Sequence, residues 1–385
     1  MRTLPLLVSG VLLGCGLATQ VQAQDEPTGR RPIIREPLIK SRPPIDIVFA
    51  IDCSGSMGGV IETAKQKIWD IVNEAARAKP TPQLRIGLLA YGNGSNTYRQ
   101  YDLSSDLDTV YQNLSTFKDE GWSEEYVGEA IQKAVGNMSW STPLPNTPSL
   151  RSLYVVGNET ARQGPIDFQF EAPRAKEKNI FVNAIYCGNA GGQDTWRQFS
   201  TLGGGEYLEI AADGASVMVP TPYDGPIDEL NKKLNGTYLP YGRRGEAAAS
   251  NQRAQDSNAL RFGGVYANSS RALAKASSQY RNSEWDLVDK SLEPGFDLAK
   301  VPVDDLPPAM QVMTPEQRLS FLQKKQAERA DLQKQLLDLG AKRAEFLRKA
   351  NEKVGRRDSF DSAVNGSFGG QARAGGFGGF GGAGK

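Results

Sequence analysis

The chain has 385 residues with 45 Lys+Arg against 44 Asp+Glu, 39% hydrophobic residues, three cysteines and no histidine. Without histidine, Ser-His-Asp and Cys-His nucleophile systems, imidazole bases and His-ligated zinc are all excluded, so any bound metal must be held mainly by oxygen. A net charge of +1 leaves no electrostatic footprint for bulk nucleic-acid binding.

Residues 1–23 read as a secretory signal peptide: Arg2, an apolar stretch from Leu4 to Leu17, then Val21-Gln22-Ala23 as a small-residue cleavage site. Export is therefore expected, to a periplasmic, cell-surface or secreted location. Leu12-Leu13-Gly14-Cys15 resembles a lipoprotein processing box, a minority alternative that anchors the chain at Cys15. No other run approaches the length of a membrane span. Residues 24–43, with Arg30-Arg31-Pro32 and Arg42-Pro43, read as an extended Pro/Arg-rich linker.

From residue 44 the pattern changes. Ile45 to Ile51 is a nearly continuous apolar run ending at Asp52, as expected of a central parallel strand buried on both faces. Similar runs recur at 84–91, 153–156, 180–186 and 207–210. Between them, Val60 to Ala78 and Val127 to Val135 carry apolar residues at three- and four-residue spacing, so helices alternate with strands. The fold class is α/β: a doubly wound, mostly parallel, Rossmann-like sheet over residues 44–238. Residues 239–312 read as a helical extension. Residues 313–356 form a long charged helix whose Leu332, Leu336, Leu339, Phe346 and Ala350 share a seam that Lys325, Arg329 and Arg343 interrupt. Either a coiled coil or a single helix folding back on the chain fits that seam. Residues 357–385, rich in Gly and Phe, are expected to be disordered.

The chemistry-bearing motif is Asp52-Cys53-Ser54-Gly55-Ser56, at the carboxyl end of the first strand, where open α/β sheets place their ligand crevices. Gly55 permits a tight turn, so that Asp52, Ser54 and Ser56 converge. One carboxylate and two hydroxyls suit a small hard cation that retains waters, Mg²⁺ first and Mn²⁺ or Ca²⁺ as alternatives. Such an ion keeps a coordination position for an outside carboxylate.

D-x-S-x-S after an apolar strand resembles the first signature of the von Willebrand factor type A (VWA) domain and its metal-ion-dependent adhesion site, over about Pro44 to Tyr238. The resemblance implies Ser123, in Gly121-Trp122-Ser123, in the position of the family's metal-binding Thr. It also places Asn158 where the family usually has Asp, a departure that removes a charge and weakens divalent affinity, with Glu159 adjacent as a compensating carboxylate. The stretch 155–188 and the Trp285-Asp286-Leu287-Val288-Asp289 segment also resemble a group of bacterial exported domains of this type. In the family topology Cys53 and Cys187 end strands one strand apart, about 9 to 10 Å between Cα atoms. Direct bridging needs under about 7 Å, so two buried thiols are favoured. The glycine-rich 379–385 segment matches the spacing of a phosphate loop but lacks its Ser/Thr, strand and helix.

The leading expectation is a non-enzymatic, exported binding module whose metal captures a carboxylate on a protein or peptide ligand. The alternative is a structural scaffold with a degenerate metal site that acts, or self-associates, through its C-terminal helices. A metal-assisted hydrolase using Asp119, Glu120 or Glu124 as base is third, with no nucleophile-base pair legible.

Overall fold

The computed structural model describes residues 42–93, 98–188, 191–211, 218–354 and 360–380. Residues 1–41, on which the expected signal peptide, Cys15 and most of the expected linker fall, lie outside the described residues. Strand β1 (Pro44–Asp52) sits near the centre of a six-stranded sheet and pairs in parallel with β2 (Gln83–Tyr91) and β4 (Leu150–Gly157). β5 (Phe181–Cys187) and β6 (Gly204–Ile210) extend the parallel ladder, and β3 (Arg99–Ser104) closes the other edge, giving the order β3-β2-β1-β4-β5-β6. The antiparallel edge strand β3 was not expected from the sequence. Its polar run Arg99-Gln100-Tyr101-Asp102 lacks the apolar signature because an edge strand is half solvated.

Alternation along β1 assigns the two faces. Ile45, Ile47, Phe49 and Ile51 share one core with α1 (Gly58–Ala75), α2 (Leu107–Ser115) and, packed over those helices, α7 (Gly245–Ala276), while Val48 and Ala50 share the core of the other face with α3 (Val127–Asn137), α4 (Phe168–Glu177) and α5 (Gln193–Leu202). Both faces are thus covered, as a parallel sheet requires. α6 (Asp224–Asn235) follows the sheet, and the one-turn α9 (Pro308–Gln311) precedes the long C-terminal helix.

The helical extension is tied down by buried ion pairs. Arg271 on α7, fully buried, contacts Asp108 at 2.8 Å and Asp256 at 2.5 Å, and Lys275 reaches Asp256 at 3.0 Å. Burial alone would raise the Asp256 carboxyl, but Lys275 and Arg271 hold it well below the ordinary carboxylate range. A depressed folded value means its contribution is complete above the unfolded pKa of about 4 and is lost as pH falls through the folded value. Asp256→Asn is therefore expected to cost about 3 kcal/mol at neutral pH and much less near pH 2, read as urea midpoints across the acid limb.

Of the two readings open for the long C-terminal helix, the structure shows the one in which it folds back on the chain, whereas the expectation of a disordered tail needs correction. The interrupted seam of α10 (Pro315–Val354) is used within the chain: Leu332 and Leu336 are buried, and the helix packs on α6, α7 and the short α8 (Leu287–Lys290). The arginines that break the seam are themselves buried. Arg329 pairs with Asp286 and, at 3.1 Å, with Asp289, and Arg343 pairs with Asp224 at 2.7 Å.

The segment expected to be disordered contains α11 (Phe360–Ala374). Val364, Phe368, Ala372 and Phe377 enter the core against α1, β4 and β6. Ser152, Tyr154 and Asn183 are fully buried polar side chains on β4 and β5, and α11 supplies their partners. The Gln371 carbonyl accepts from Ser152 Oγ at 2.7 Å, its Nε2 donates to Asn183 Oδ1 at 2.6 Å, and Ser367 Oγ meets Tyr154 OH at 2.9 Å. Glycine lets the following turn pass the chain closely. A Cβ on Gly379 would sit 2.1 Å from the Arg77 carbonyl oxygen, and its φ is +93°.

Candidate functional site

The turn after β1 is built by backbone pairing with the loop before α3. Glu120 N donates to Cys53 O at 2.9 Å, Gly55 N donates to Trp122 O at 3.2 Å, and Ser54 and Trp122 form a parallel bridge. Trp122 lies on Gly92, where a Cβ would fall 2.1 Å from its ring. These contacts carry the 120–126 loop across the carboxyl ends of β1 and β2.

Asp52 is fully buried. Its Oδ1 accepts Ser54 N and its Oδ2 accepts Ser54 Oγ, both at 2.8 Å. Ser54 Oγ also lies 3.3 Å from Glu125 Oε1, and Glu125 is fully buried in the loop two residues before α3. Ser56 is exposed and its Oγ accepts Asn158 Nδ2 at 2.7 Å. Asp52, Ser54, Ser56 and Asn158 are thus brought together, whereas Ser123 is exposed and makes no hydrogen bond to any of them. Neither serine of the first motif serves as a helix cap: α1 begins after Met57 with no side-chain cap, and α3 begins after Tyr126 likewise.

Glu125 is the residue the sequence reading missed. Its Oε2 accepts Glu159 N at 3.2 Å and Asn158 N at 3.4 Å, and its own N donates to Gln163 Oε1 at 2.7 Å. Gly157 makes room for it, since a Cβ there would lie 3.0 Å from Glu125 Oε2. Two signals were present in the sequence, an acidic residue immediately before an apolar helix and a glycine ending β4. Glu159 does not supply the missing charge at Asn158, because its carboxylate accepts from Gln163 Nε2 at 2.5 Å.

Burial, and then the neighbouring Glu125, push the Asp52 carboxyl well above its ordinary range, and burial raises Glu125 as well. Two carboxyl groups facing the same Ser54 hydroxyl in a dry setting each disfavour ionisation of the other. The Asn158 Oδ1 atom is buried without a hydrogen-bond partner. Two buried carboxylates, two hydroxyls and an orphaned amide oxygen make an oxygen-only donor set, which fits a hard divalent cation.

The remaining acidic groups are placed otherwise. Asp119 accepts Gly121 N at 2.8 Å, Glu120 pairs with Arg99 at 2.8 Å, and Glu124 accepts the Tyr126 hydroxyl at 3.0 Å. Cys53 and Cys187 are free and buried, and burial pushes the Cys53 thiol up to about 12.

Comparison with known proteins matches residues 46–215 to the family described as the von Willebrand factor type A domain. A search of curated proteins found no match. Among solved structures, BatB from Bacteroides thetaiotaomicron is similar with 18% identity and a TM-score of 0.35, covering 43% of this chain and 90% of that one. Proximal thread matrix protein 1 from the mussel byssus, in a structure with a zinc-occupied MIDAS motif, is similar with 11% identity and a TM-score of 0.35, covering 45% and 43%. The SpRpn10 VWA domain is similar with 14% identity and a TM-score of 0.33, covering 48% and 94%.

Proposed function

Since residues 46–215 form a von Willebrand factor type A domain, we propose that the protein is an exported, non-enzymatic binding module that holds a divalent cation at the end of β1 and captures a protein or peptide ligand through a carboxylate. The observation that carries this reading is the buried Asp52–Ser54–Glu125 cluster beside the unpartnered Asn158 oxygen. Asp52 and Glu125 are the charged donors, Ser54 and Ser56 the hydroxyl donors, and Asn158 a neutral one. When bound, the cation supplies a positive charge and an exchangeable coordination position. The chain's part is to hold the two carboxylates buried on either side of the Ser54 hydroxyl. Export rests on the reading of the first 23 residues, and no helix among the described residues is long and apolar enough to cross a membrane.

Titrating Mg²⁺, Mn²⁺, Ca²⁺ or Zn²⁺ while following thermal unfolding tests the reading. The wild-type chain is expected to melt at least 4 °C higher with saturating cation, reversed by EDTA, from an added stabilisation of about 2 to 3 kcal/mol at one hundred times Kd. Asp52→Asn and Glu125→Gln should abolish the shift, while Ser123→Ala should leave it within about twofold in Kd. A wild-type melting curve indifferent to every cation would overturn the metal reading.

The scaffold reading has one observation of its own, the exposed Leu319 and Leu337 on α10. They are single apolar side chains on a helix whose buried leucines already pack within the chain, so the metal reading is preferred.

A further inference from the structure

At the opposite end of β1 from Asp52, about 30 Å along the strand, a cavity of about 200 Å³ opens between the starts of β1 and β2 and the loop that follows α7. Arg42, Arg281 and Gln279 line it together with Ser105 and Ser278, and no acidic residue does among the described residues. Among the described residues Arg42 donates one hydrogen bond, to Ser278 O at 2.8 Å, and Arg281 makes none. Burial and then the Arg281 charge lower the pKa of Arg42, and among the described residues neither arginine forms an ion pair, so two like charges face one cavity. Asp289 and Glu293 are within electrostatic range of Arg281 but form ion pairs elsewhere, Asp289 with Arg329 and Glu293 with Lys290.

A second, independent feature points the same way. Gln279 is buried, its amide oxygen accepts Leu84 N at 3.3 Å, and its amide nitrogen is buried without a partner. An unpaired buried donor carries a desolvation penalty unless something accepts from it. The cavity thus combines two arginines, an orphaned amide donor and two serines, residue types that recognise a multiply charged oxyanion.

We propose that this cavity is a binding site for a dianionic oxyanion, a phosphate group either free or carried as a monoester, with Arg42 and Arg281 supplying the charge and Gln279 a neutral donor. Two guanidinium groups favour a dianion over a single carboxylate, and the volume admits a phosphate with part of its substituent. The site is independent of the cation reading, because it lies at the other end of the sheet and uses none of the same residues.

The test is isothermal titration of the full chain in EDTA, at constant ionic strength, with inorganic phosphate, glycerol 3-phosphate, sulfate, acetate and chloride. Saturable binding of inorganic phosphate or glycerol 3-phosphate is expected, at least tenfold tighter than acetate, with chloride giving none. Preference between the first two distinguishes free phosphate from a monoester. Arg281→Gln, at an exposed position, should weaken binding at least tenfold while the unfolding midpoint in chloride stays within 1 °C, and Gln279→Leu should weaken it further in that background. The proposal is overturned if no phosphate compound binds saturably, if acetate or chloride binds as well as phosphate, or if Arg281→Gln binds like the wild type.

Discussion

Ending the chain after Val354 is expected to lower the stability of the folded protein by about 5 kcal/mol or more, a large share of what a domain of this kind possesses. Val364, Phe368 and Phe377 are 0%, 0% and 3% exposed, and burying side chains of this size contributes about 1.5 to 3 kcal/mol each. Their removal uncovers the sheet face over β4 and β5, and with it three polar groups matched to the missing helix. Ser152 and Asn183 lose Gln371, and Tyr154 loses Ser367. Each unpartnered group adds about 1 to 3 kcal/mol where water does not reach it. Urea unfolding should show an earlier midpoint, with increased binding of a hydrophobic dye. Two finer variants separate these contributions. Phe368→Ala should cost about 3 to 5 kcal/mol through the cavity it leaves, and Gln371→Ala about 1 to 3 kcal/mol through lost partners. A truncated chain with an unchanged midpoint would show that α11 is dispensable to the domain.

Arg329→Ala should be comparably damaging. Burial opposes the Arg329 charge, but Asp286, with further help from Tyr238 and Asp289, more than offsets this and raises its pKa. The guanidinium also donates to Thr237 O at 2.7 Å and stacks 4.1 Å from the centre of the Tyr238 ring, so one side chain joins α10 to the segment after α6 and to α8. Truncation leaves two carboxylates buried and uncompensated, a loss of about 3 to 5 kcal/mol. The expected signature is a lower midpoint together with faster proteolysis of α10. Arg329→Met combined with Asp286→Asn and Asp289→Asn should recover part of the loss, because the penalty lies in the stranded charges. Lys349→Ala, which removes an exposed pair with Glu345, should leave the midpoint unmoved. Equal effects for Arg329→Ala and Lys349→Ala would show that the buried pair carries no special weight.

These two predictions concern residues whose sequence context pointed elsewhere. Arg329 and Arg343 read as interruptions of a seam because a heptad count knows only the helix it is drawn on. Asp286 and Asp224 lie 43 and 119 residues away in sequence, and only the folded chain brings them opposite the arginines. The tail read as disordered because glycine lowers helix propensity and the composition is simple. Yet Val364, Phe368 and Ala372 stand four residues apart, and the strands carry Ser152 and Asn183 where apolar residues would be expected. Those buried polar positions were the available hint that something hydrogen-bonded would cover that face.

At the candidate site the division is similar. The turn of Asp52, Ser54 and Ser56 is local: a buried strand ends, the chain reverses through Gly55, and three oxygen-bearing residues follow within five positions. Glu125 reaches Ser54 across 71 residues, through pairing of the 120–126 loop with the turn after β1.

What the amino-acid order determined by itself is the alternation of buried strands and amphipathic helices, hence the parallel sheet, the place of Asp52 at its carboxyl edge and the family those features resemble. Periodicity and turn chemistry act over a few residues, so they are written where they act. Tertiary structure alone decided which charges meet, which helix covers the polar face over β4 and β5, and that Glu125 stands beside Asp52. Those outcomes depend on burial, where a charge or hydrogen-bonding group must find a partner, and the partner is set by distance in space.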